Sequence, residues 1–273
     1  LQAAARIAQI EVAVDDSQTA LVFRNLEPLG ESDREKMIAF AQAHDMRFFL
    51  QPGGPDSVEP LWPEQTQLSY ALPEFDVRFN FTPTGFTQVN TDINRKMVPY
   101  AIDLLEVQPD ERVLDLFCGI GNFTLPLARR AKSVVGVEGL EILVQRAREN
   151  AALNGIDNVE FHVADLAKEV ELLPWWSQRH DTSGHAEPSD HEHKGFDKVL
   201  LDPARDGAME AIPHIAKLGV KRIVYVSCNP ATLARDAGIL VNEYGYTLEK
   251  AGVMDMFPHT AHVESIALFT KGK

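Results

Sequence analysis

The sequence predicts an α/β protein: a doubly wound, seven-stranded sheet over residues 86–273, preceded by a small α+β region over residues 1–85. Three observations carry this expectation. From Arg112 onward, runs rich in Val, Ile and Leu alternate with helical patterns, as parallel strands covered on both faces require. The last two runs leave no room for a helix between them and read as an antiparallel pair. Before residue 86, short alternating runs surround a single helical pattern.

In the first region, IAQIEVAV, TALVFRN, MRFFLQP and VRFNFTP read as strands. ESDREKMIAFAQAHD reads as a helix, with Ser32 and Glu35 spaced as a capping box. PGGPDSVEPLWPEQ reads as a loop. INRKMVPYAIDLLEV follows as an amphipathic helix in which Pro99 predicts a kink. The seven runs of the second region are RVLDLF, SVVGVE, VEFHVAD, FDKVLLD, KRIVYVSC, YTLEKAGVMDMF and HVESIALFTK. FTLPLARRA and EILVQRARENAALNG are the early helices, the second stopped at Asn154-Gly155. Residues 177–195, SQRHDTSGHAEPSDHEHKG, break the rhythm. With no apolar residue to anchor His180, His185, His191 and His193, a solvated surface insertion is expected ahead of a metal site.

The bulk numbers bound the function. A chain of 273 residues with 45 % apolar and 24 % charged residues suits one large domain or two modest ones. No apolar run approaches the roughly 20 residues of a membrane span, so no membrane partner is expected. Cys118 and Cys228 are the only cysteines. They cannot build a disulfide framework or a CxxC metal site, which points to a reducing cytoplasm. The start, LQAAARIAQIEV, reads as the middle of a longer protein. A net charge of −14 opposes a broad nucleic-acid footprint on this portion.

DLFCGIGNFTLPLA, residues 115–128, follows a strand and opens a helix. It has Gly119 and Gly121, but Thr124 stands where a dinucleotide fingerprint places its third glycine. Acids mark three strands in succession: Asp115, then Glu138 at the end of VVGVE, then Asp165 at the end of HVAD. A carboxylate about 20 residues past the turn can accept hydrogen bonds from ribose hydroxyls, and Asp165 can reach an adenine amino group. Such a ligand needs ribose and adenine contacts but no long phosphate cradle. S-adenosylmethionine (SAM) meets that description better than NAD. Phe117, Asn122 and Gln88 can complete the pocket, although their spacing does not single them out.

DLFCGIGNF, GVE, VAD, LDPAR and VSCNP occur in this order, with FTQVN at 86–90 and HVESIALF at 262–269. Together they resemble the RNA uracil-5-methyltransferase family, and within it most closely the members that act on 23S rRNA. The likeness runs from about LQPGGP to the C-terminus, with the histidine-rich segment as an extra. It implies a Rossmann-like SAM-dependent methyltransferase domain that forms 5-methyluridine. SAM contacts are implied at Gln88, Phe117, Asn122, Glu138, Asp165 and Asp202, with Cys228 as nucleophile and Glu264 as base. Asp165 departs from an asparagine found in some relatives. The resemblance also implies an OB-like RNA-binding domain and, in the rRNA group, an iron–sulfur cluster on four cysteines. Both are expected only in an upstream portion. A monomer acting on a flipped uridine is expected.

The chemistry asks for these residue types. Carbon 5 of uracil is a poor nucleophile until a thiolate adds to carbon 6, and a base must then remove the carbon-5 proton. Cys228 ends the KRIVYVSC strand, at the sheet edge where ligands bind. A helix starting just after it is expected to lower the thiol pKa below about 8.5. Cys118 reads as a small residue packed against the cofactor loop. The strand ending in Asp202 is expected to separate the two cysteines and to preclude a disulfide. His262 is the rival base on the face of Glu264.

Asp202-Pro203-Ala204-Arg205 lacks the second proline and the aromatic ring used to hold an exocyclic amine, which argues against an adenine-N6 target. Asp202 is left between the uracil N3 proton and the cofactor. Arg205 is left between cofactor, carbonyl edge, phosphate and a pair with Asp206. The rival functions are methylation of tRNA or of another rRNA uridine, a non-catalytic SAM- and RNA-binding protein and, weakest, a dehydrogenase.

Overall fold

The computed structural model describes residues 1–168, 174–177 and 195–272. The expected insertion at 177–195, with its four histidines, lies outside the described residues apart from its two ends. Contacts divide the chain into two units, Leu1–Ala71 with Arg78–Gln88, and Leu72–Val77 with Val89–Lys273.

The first unit holds a four-stranded sheet of β1 (Ile7–Val14), β2 (Thr19–Asn25), β3 (Met46–Leu50) and β4 (Glu59–Trp62), in that order. The β1–β2 turn forms because Asp15 Oδ1 accepts the N–H groups of Ser17 and Gln18, both at 2.7 Å. Between β2 and β3, which run parallel, the chain crosses over through α1 (Glu31–Ala43). Phe23, Leu29, Met37, Ala41, Phe48, Leu50 and Leu61 form the core of this unit.

Two sequence expectations are corrected here. The helix begins at Glu31 with Gly30 as N-cap and no side-chain cap, so Ser32 sits inside the first turn and the Ser32–Glu35 capping box does not form. Asp33 instead accepts the N–H groups of Gln2 and Ala3, each at 2.8 Å. The expected PGGPDSVEPLWPEQ loop contains β4, whose pairing with β3 overrides the turn-rich composition around it. A further ribbon pairs β5 (Leu68–Leu72) with β6 (Val77–Phe81).

The second unit opens with α2 (Thr91–Leu105), capped by Asn90, whose side chain accepts the Ile93 N–H at 3.2 Å. The helix runs on through Pro99 and buries Met97, Val98, Ala101, Ile102, Leu104 and Leu105. Next come β7 (Arg112–Leu116), α3 (Thr124–Ala128), β8 (Ser133–Glu138), α4 (Glu141–Leu153) and β9 (Val159–Val163). Gly155, with φ of 60°, ends α4 as the sequence expects. The rest comprises α5 (Pro174–Ser177), β10 (Lys198–Leu201), α6 (Ile212–Lys217), β11 (Arg222–Ser227), α7 (Pro230–Asn242), β12 (Thr247–Met254) and β13 (Glu264–Thr270).

The seven strands order as β12-β13-β11-β10-β7-β8-β9. All neighbours are parallel except β13, antiparallel to both β11 and β12. All five residues of β7 are buried, as a central strand covered on both faces requires. The chain winds outward from β7 to β9, then returns to the other side of β7 to lay down β10. That reversal puts the carboxyl ends of β7 and β10 at the switch point, where open α/β sheets bind ligands. Among the described residues, no helix is long and apolar enough to cross a membrane.

Candidate active site

Immediately after β7 the backbone turns left-handed three times, at Phe117 (φ 62°), Gly119 (54°) and Gly121 (93°). Glycine adopts this conformation freely, whereas a phenylalanine there costs on the order of 1 kcal/mol. The turn returns on itself through Gly121 N–H to Cys118 C=O at 2.9 Å. Gly119 N–H donates to Glu138 Oε2 at 3.2 Å, while Glu138 Oε1 accepts Gly139 and Leu140 N–H at 2.8 and 3.2 Å. A carboxylate has about four acceptor positions, so about one remains open for a ligand hydroxyl. A ribose diol would bind through both hydroxyls only if one backbone bond yields.

A cleft of about 350 Å³ opens at this end of the sheet. Phe117, Leu140, Ala164 and Leu166 contribute apolar wall, and Glu138, Asp165 and Glu210 are its acids; among the described residues, no Lys, Arg or His lines it. Asp165 is exposed, and the Lys168 ammonium at 2.9 Å, with the Ala167 N–H, holds its carboxyl below the ordinary range. Of the six expected SAM contacts, Phe117, Glu138 and Asp165 therefore share one cleft. Asn122 and Asp202 are not part of its wall. The Asn122 amide is committed to Asn94 by two reciprocal bonds of 3.0 Å. Gln88 closes the first unit. Glu210 and the Gly207–Ala211 wall were not legible in the sequence, because only the fold of the segment after β10 brings them to the cleft.

Asp115 stands beneath the loop, fully buried. Its Oδ2 accepts the Thr124 hydroxyl at 2.5 Å, and its Oδ1 has no hydrogen-bond partner among the described residues. Burial, aided by the nearby Glu138, pushes its carboxyl up to about 7 against the Thr124 bond.

Farther along the same edge the register joins two residues distant in sequence. Ser227 of β11 lies opposite Ser265 of β13. The next position toward the edge on each strand is therefore Cys228 on one and Glu264 on the other. Glu264 is 2 % exposed, and burial raises its carboxyl to about 7. Burial first, then Glu264 and Asp202, raises the half-buried Cys228 thiol above its ordinary value, with Arg205 opposing. This reverses the expectation of a thiol lowered by the following helix. Burial, with the acids on the neighbouring strands, outweighs that helix, whose first turn is already capped by Asn229 Oδ1 on Ala231 N–H at 3.2 Å. Asp202 is likewise raised well above the carboxylate range by burial, then by Glu264 and Asp115.

Arg205 does not pair with Asp206. Its guanidinium donates to His262 Nδ1 at 3.3 Å, which occupies the lone pair that His262 would need at that nitrogen to act as a base. Cys118 is buried, and burial with Asp115 and Glu138 raises its thiol well above the ordinary value. As expected, β10 lies between the strands that carry the two cysteines. Among the described residues, no group of three or more His, Cys, Asp or Glu can hold a metal ion.

Relatives fit this geometry. The family model described as tRNA (uracil-5-)-methyltransferase matches residues 65–272. A Xanthomonas axonopodis protein named 23S rRNA (uracil(1939)-C(5))-methyltransferase RlmD is 54 % identical over 97 % of this chain and 56 % of its own length. A Hahella chejuensis protein of the same name is 55 % identical over 97 % of this chain and 57 % of its own. The chain thus spans little more than half the length of these relatives. Among solved structures, the Pyrococcus abyssi tRNA (uracil-54, C5)-methyltransferase in complex with S-adenosyl-L-homocysteine superposes with a TM-score of 0.69 and 26 % identity, covering 93 % of this chain and 57 % of that one. Pyrococcus horikoshii TYW2 shares the fold at a TM-score of 0.58 and 18 % identity, covering 97 % of this chain and 92 % of that one. On the match of its motifs, its sheet and most of its length, the chain belongs to the tRNA (uracil-5-)-methyltransferase family.

Proposed function

We propose that this chain carries the catalytic part of an enzyme that methylates carbon 5 of a uridine in 23S rRNA. The observation that carries the reading is the meeting of Cys228 and Glu264 at the sheet edge that also holds the acidic cleft. The chemistry is assigned to residues 86–273, and 1–85 is left as a separate small region. The relatives named for 23S rRNA favour that substrate over tRNA, although the family model is described by tRNA.

The cleft suits SAM. A wall with three acids, of which only Asp165 carries a lysine partner, repels a pyrophosphate and favours a cationic ligand. The open acceptor on Glu138 takes a ribose hydroxyl, Asp165 takes an amino group, and Phe117 packs against an adenine face. Bound there, SAM supplies the methyl group. Asn122 and Asp202 are kept as contacts that complete the pocket, Asn122 by way of an amide now held by Asn94.

Cys228, as thiolate, adds to carbon 6 of the flipped uracil, and the displaced ring electrons make carbon 5 the nucleophile toward the methyl group. Glu264 then takes the carbon-5 proton. The C–H electron pair restores the C5–C6 double bond and expels the Cys228 thiolate. A carboxylate with a pKa near the working pH is matched to that proton transfer.

RNA carrying 5-fluorouridine tests the assignment, because fluorine does not leave as a proton and the adduct stalls. With SAM present, a covalent protein–RNA band on a denaturing gel is expected for the unmodified protein and for Cys118→Ala, and not for Cys228→Ala. A band with tRNA but not with 23S rRNA would move the substrate. No band with either, in protein shown to bind SAM, would favour a non-catalytic SAM- and RNA-binding role.

A further inference from the structure

Carboxylates occupy the C-terminal edge strand after strand. Glu138 ends β8, Asp115 lies next to the end of β7, Asp202 follows β10, and Glu264 begins the antiparallel β13. Asp115 and Glu264 are 0 % and 2 % exposed. The groups facing Asp115 are Glu138 from β8, Asp202 from β10, Cys118 from the glycine loop and Thr124 from α3. Those facing Glu264 are Asp202 and, from the end of β11, Cys228; Arg205, beyond Asp202, is the cation that reaches Cys228. Among the described residues, no Lys, Arg or His forms a hydrogen bond or ion pair with Asp115, Glu138 or Glu264.

Carboxyls this close, two of them almost fully buried, cannot all be ionised at low cost, because each charge raises the cost of the next. Asp115, Asp202 and Glu264 therefore share protons near neutral pH, as the upward displacement of Asp115 and Glu264 to about 7 also indicates. Asp115 is the central member. It sits between Glu138 and Asp202, and its Oδ1 is buried with no hydrogen-bond partner among the described residues. An orphaned carboxylate oxygen is costly unless a proton or a cation answers it.

We propose that this row of acids, with Asp115 at its centre, is a proton-holding array that reads the charge on the sulfur of the bound cofactor. The inference rests on the SAM reading above and deepens it. A sulfonium beside the array adds a positive charge there, so the acids ionise and protons leave with binding. S-adenosylhomocysteine (SAH) carries a neutral thioether, and the protons stay. The amino and carboxylate groups are common to both ligands and cancel in the comparison. By linkage, SAM must bind more tightly as pH rises while SAH responds less. After methyl transfer the sulfur retains the electron pair of the broken bond and is neutral. The array then holds protons more firmly, at the stage when Glu264 must take one from carbon 5.

Calorimetric titration in two buffers of different ionisation enthalpy, near pH 7, counts the protons. The unmodified protein is expected to release more protons with SAM than with SAH. Its SAM-to-SAH affinity ratio should climb severalfold per pH unit, up to about tenfold for one whole proton. Asp115→Asn should flatten that climb while keeping SAH affinity within about threefold, which also reports that the variant folds. Equal proton release for the two ligands in the unmodified protein would overturn the inference and leave the cofactor reading standing, whatever the variant does. A pH-dependent ratio that survives in a SAH-binding Asp115→Asn would remove Asp115 from the centre of the array. Failure of both ligands to bind the unmodified protein would overturn the cofactor reading and this inference together.

Discussion

Glu264 shows how little a residue's type says about its role. A strand glutamate is usually solvated, yet this one is buried at the first position of β13 and titrates near 7. If it is the base, Glu264→Gln should still permit thiolate addition and methylation but not removal of the carbon-5 proton. A gel-stable adduct with ordinary uridine RNA is then expected, with turnover lower by about 10²–10⁴. Turnover persisting in Glu264→Gln and vanishing in His262→Ala would transfer the role. The pH profile has a definite sign. The useful form of Glu264 is the ionised one, so kcat/KM of the free protein should rise with pH through about 7. Cys228 is displaced upward as well, so the rise should continue into the alkaline range rather than level off at 7.

At the scale of elements, the site depends on how the segment after β10 is pinned. Asp236 of α7 is fully buried and accepts three bonds: Ala208 N–H and the Tyr225 hydroxyl at 2.7 Å, and Arg235 Nε at 2.8 Å. It ties the cleft wall to β11 and α7 at once. Asp236→Ala strands a buried hydroxyl and a buried amide and should cost about 3 kcal/mol or more. In a unit of this size that lowers Tm by about 2–4 °C per kcal/mol, measurable by thermal unfolding. Gly207→Ala should act through the same joint. Its φ is 82°, and an added Cβ would stand 2.6 Å from Asp236 Oδ2 and from Arg235 Nη2. None of this was legible in the sequence, since a helix aspartate shows nothing of the loop that lands on it. The same holds for the Asn94–Asn122 pair, which joins residues remote in the chain, whereas β4 and β5 pair with nearby strands and were hidden by the turn-rich composition around them. What was legible followed from local rules. Strand period and strand-end position located Glu138, Asp165, Asp202 and Cys228 on one edge, whereas Asp115 was read at a strand start. The helix after VSC was also legible, but its effect on Cys228 was not, because the burial and the acids that raise the thiol come from the folded sheet.

At the scale of the molecule, two sources of negative charge act on stability and they can be separated. The chain carries a net charge of −14, spread over a solvated surface and open to screening by salt. Asp115 and Glu264 are buried, where salt reaches them poorly. Their folded-state values of about 7 lie above the ordinary 3.8 and 4.5. A carboxyl raised in the folded state stabilises the fold fully below its unfolded value, and that contribution is lost as pH rises through the folded value. Both groups therefore make the protein less stable between about pH 4 and 7, and level above. The surface charge pushes in the same direction, since ionised acids repel one another. Chemical unfolding as a function of pH, at low salt and near 1 M salt, distinguishes them. The slope between about pH 5 and 7 should shrink in high salt without vanishing, because the surface part is screened and the buried part is not. Asp115→Asn combined with Glu264→Gln should reduce the remainder, and what is left belongs chiefly to Asp202, which burial also raises. A slope abolished by salt alone in the unmodified protein would mean that the buried carboxyls carry ordinary pKa values, and would withdraw the electrostatic basis of both the base assignment and the proton-holding array.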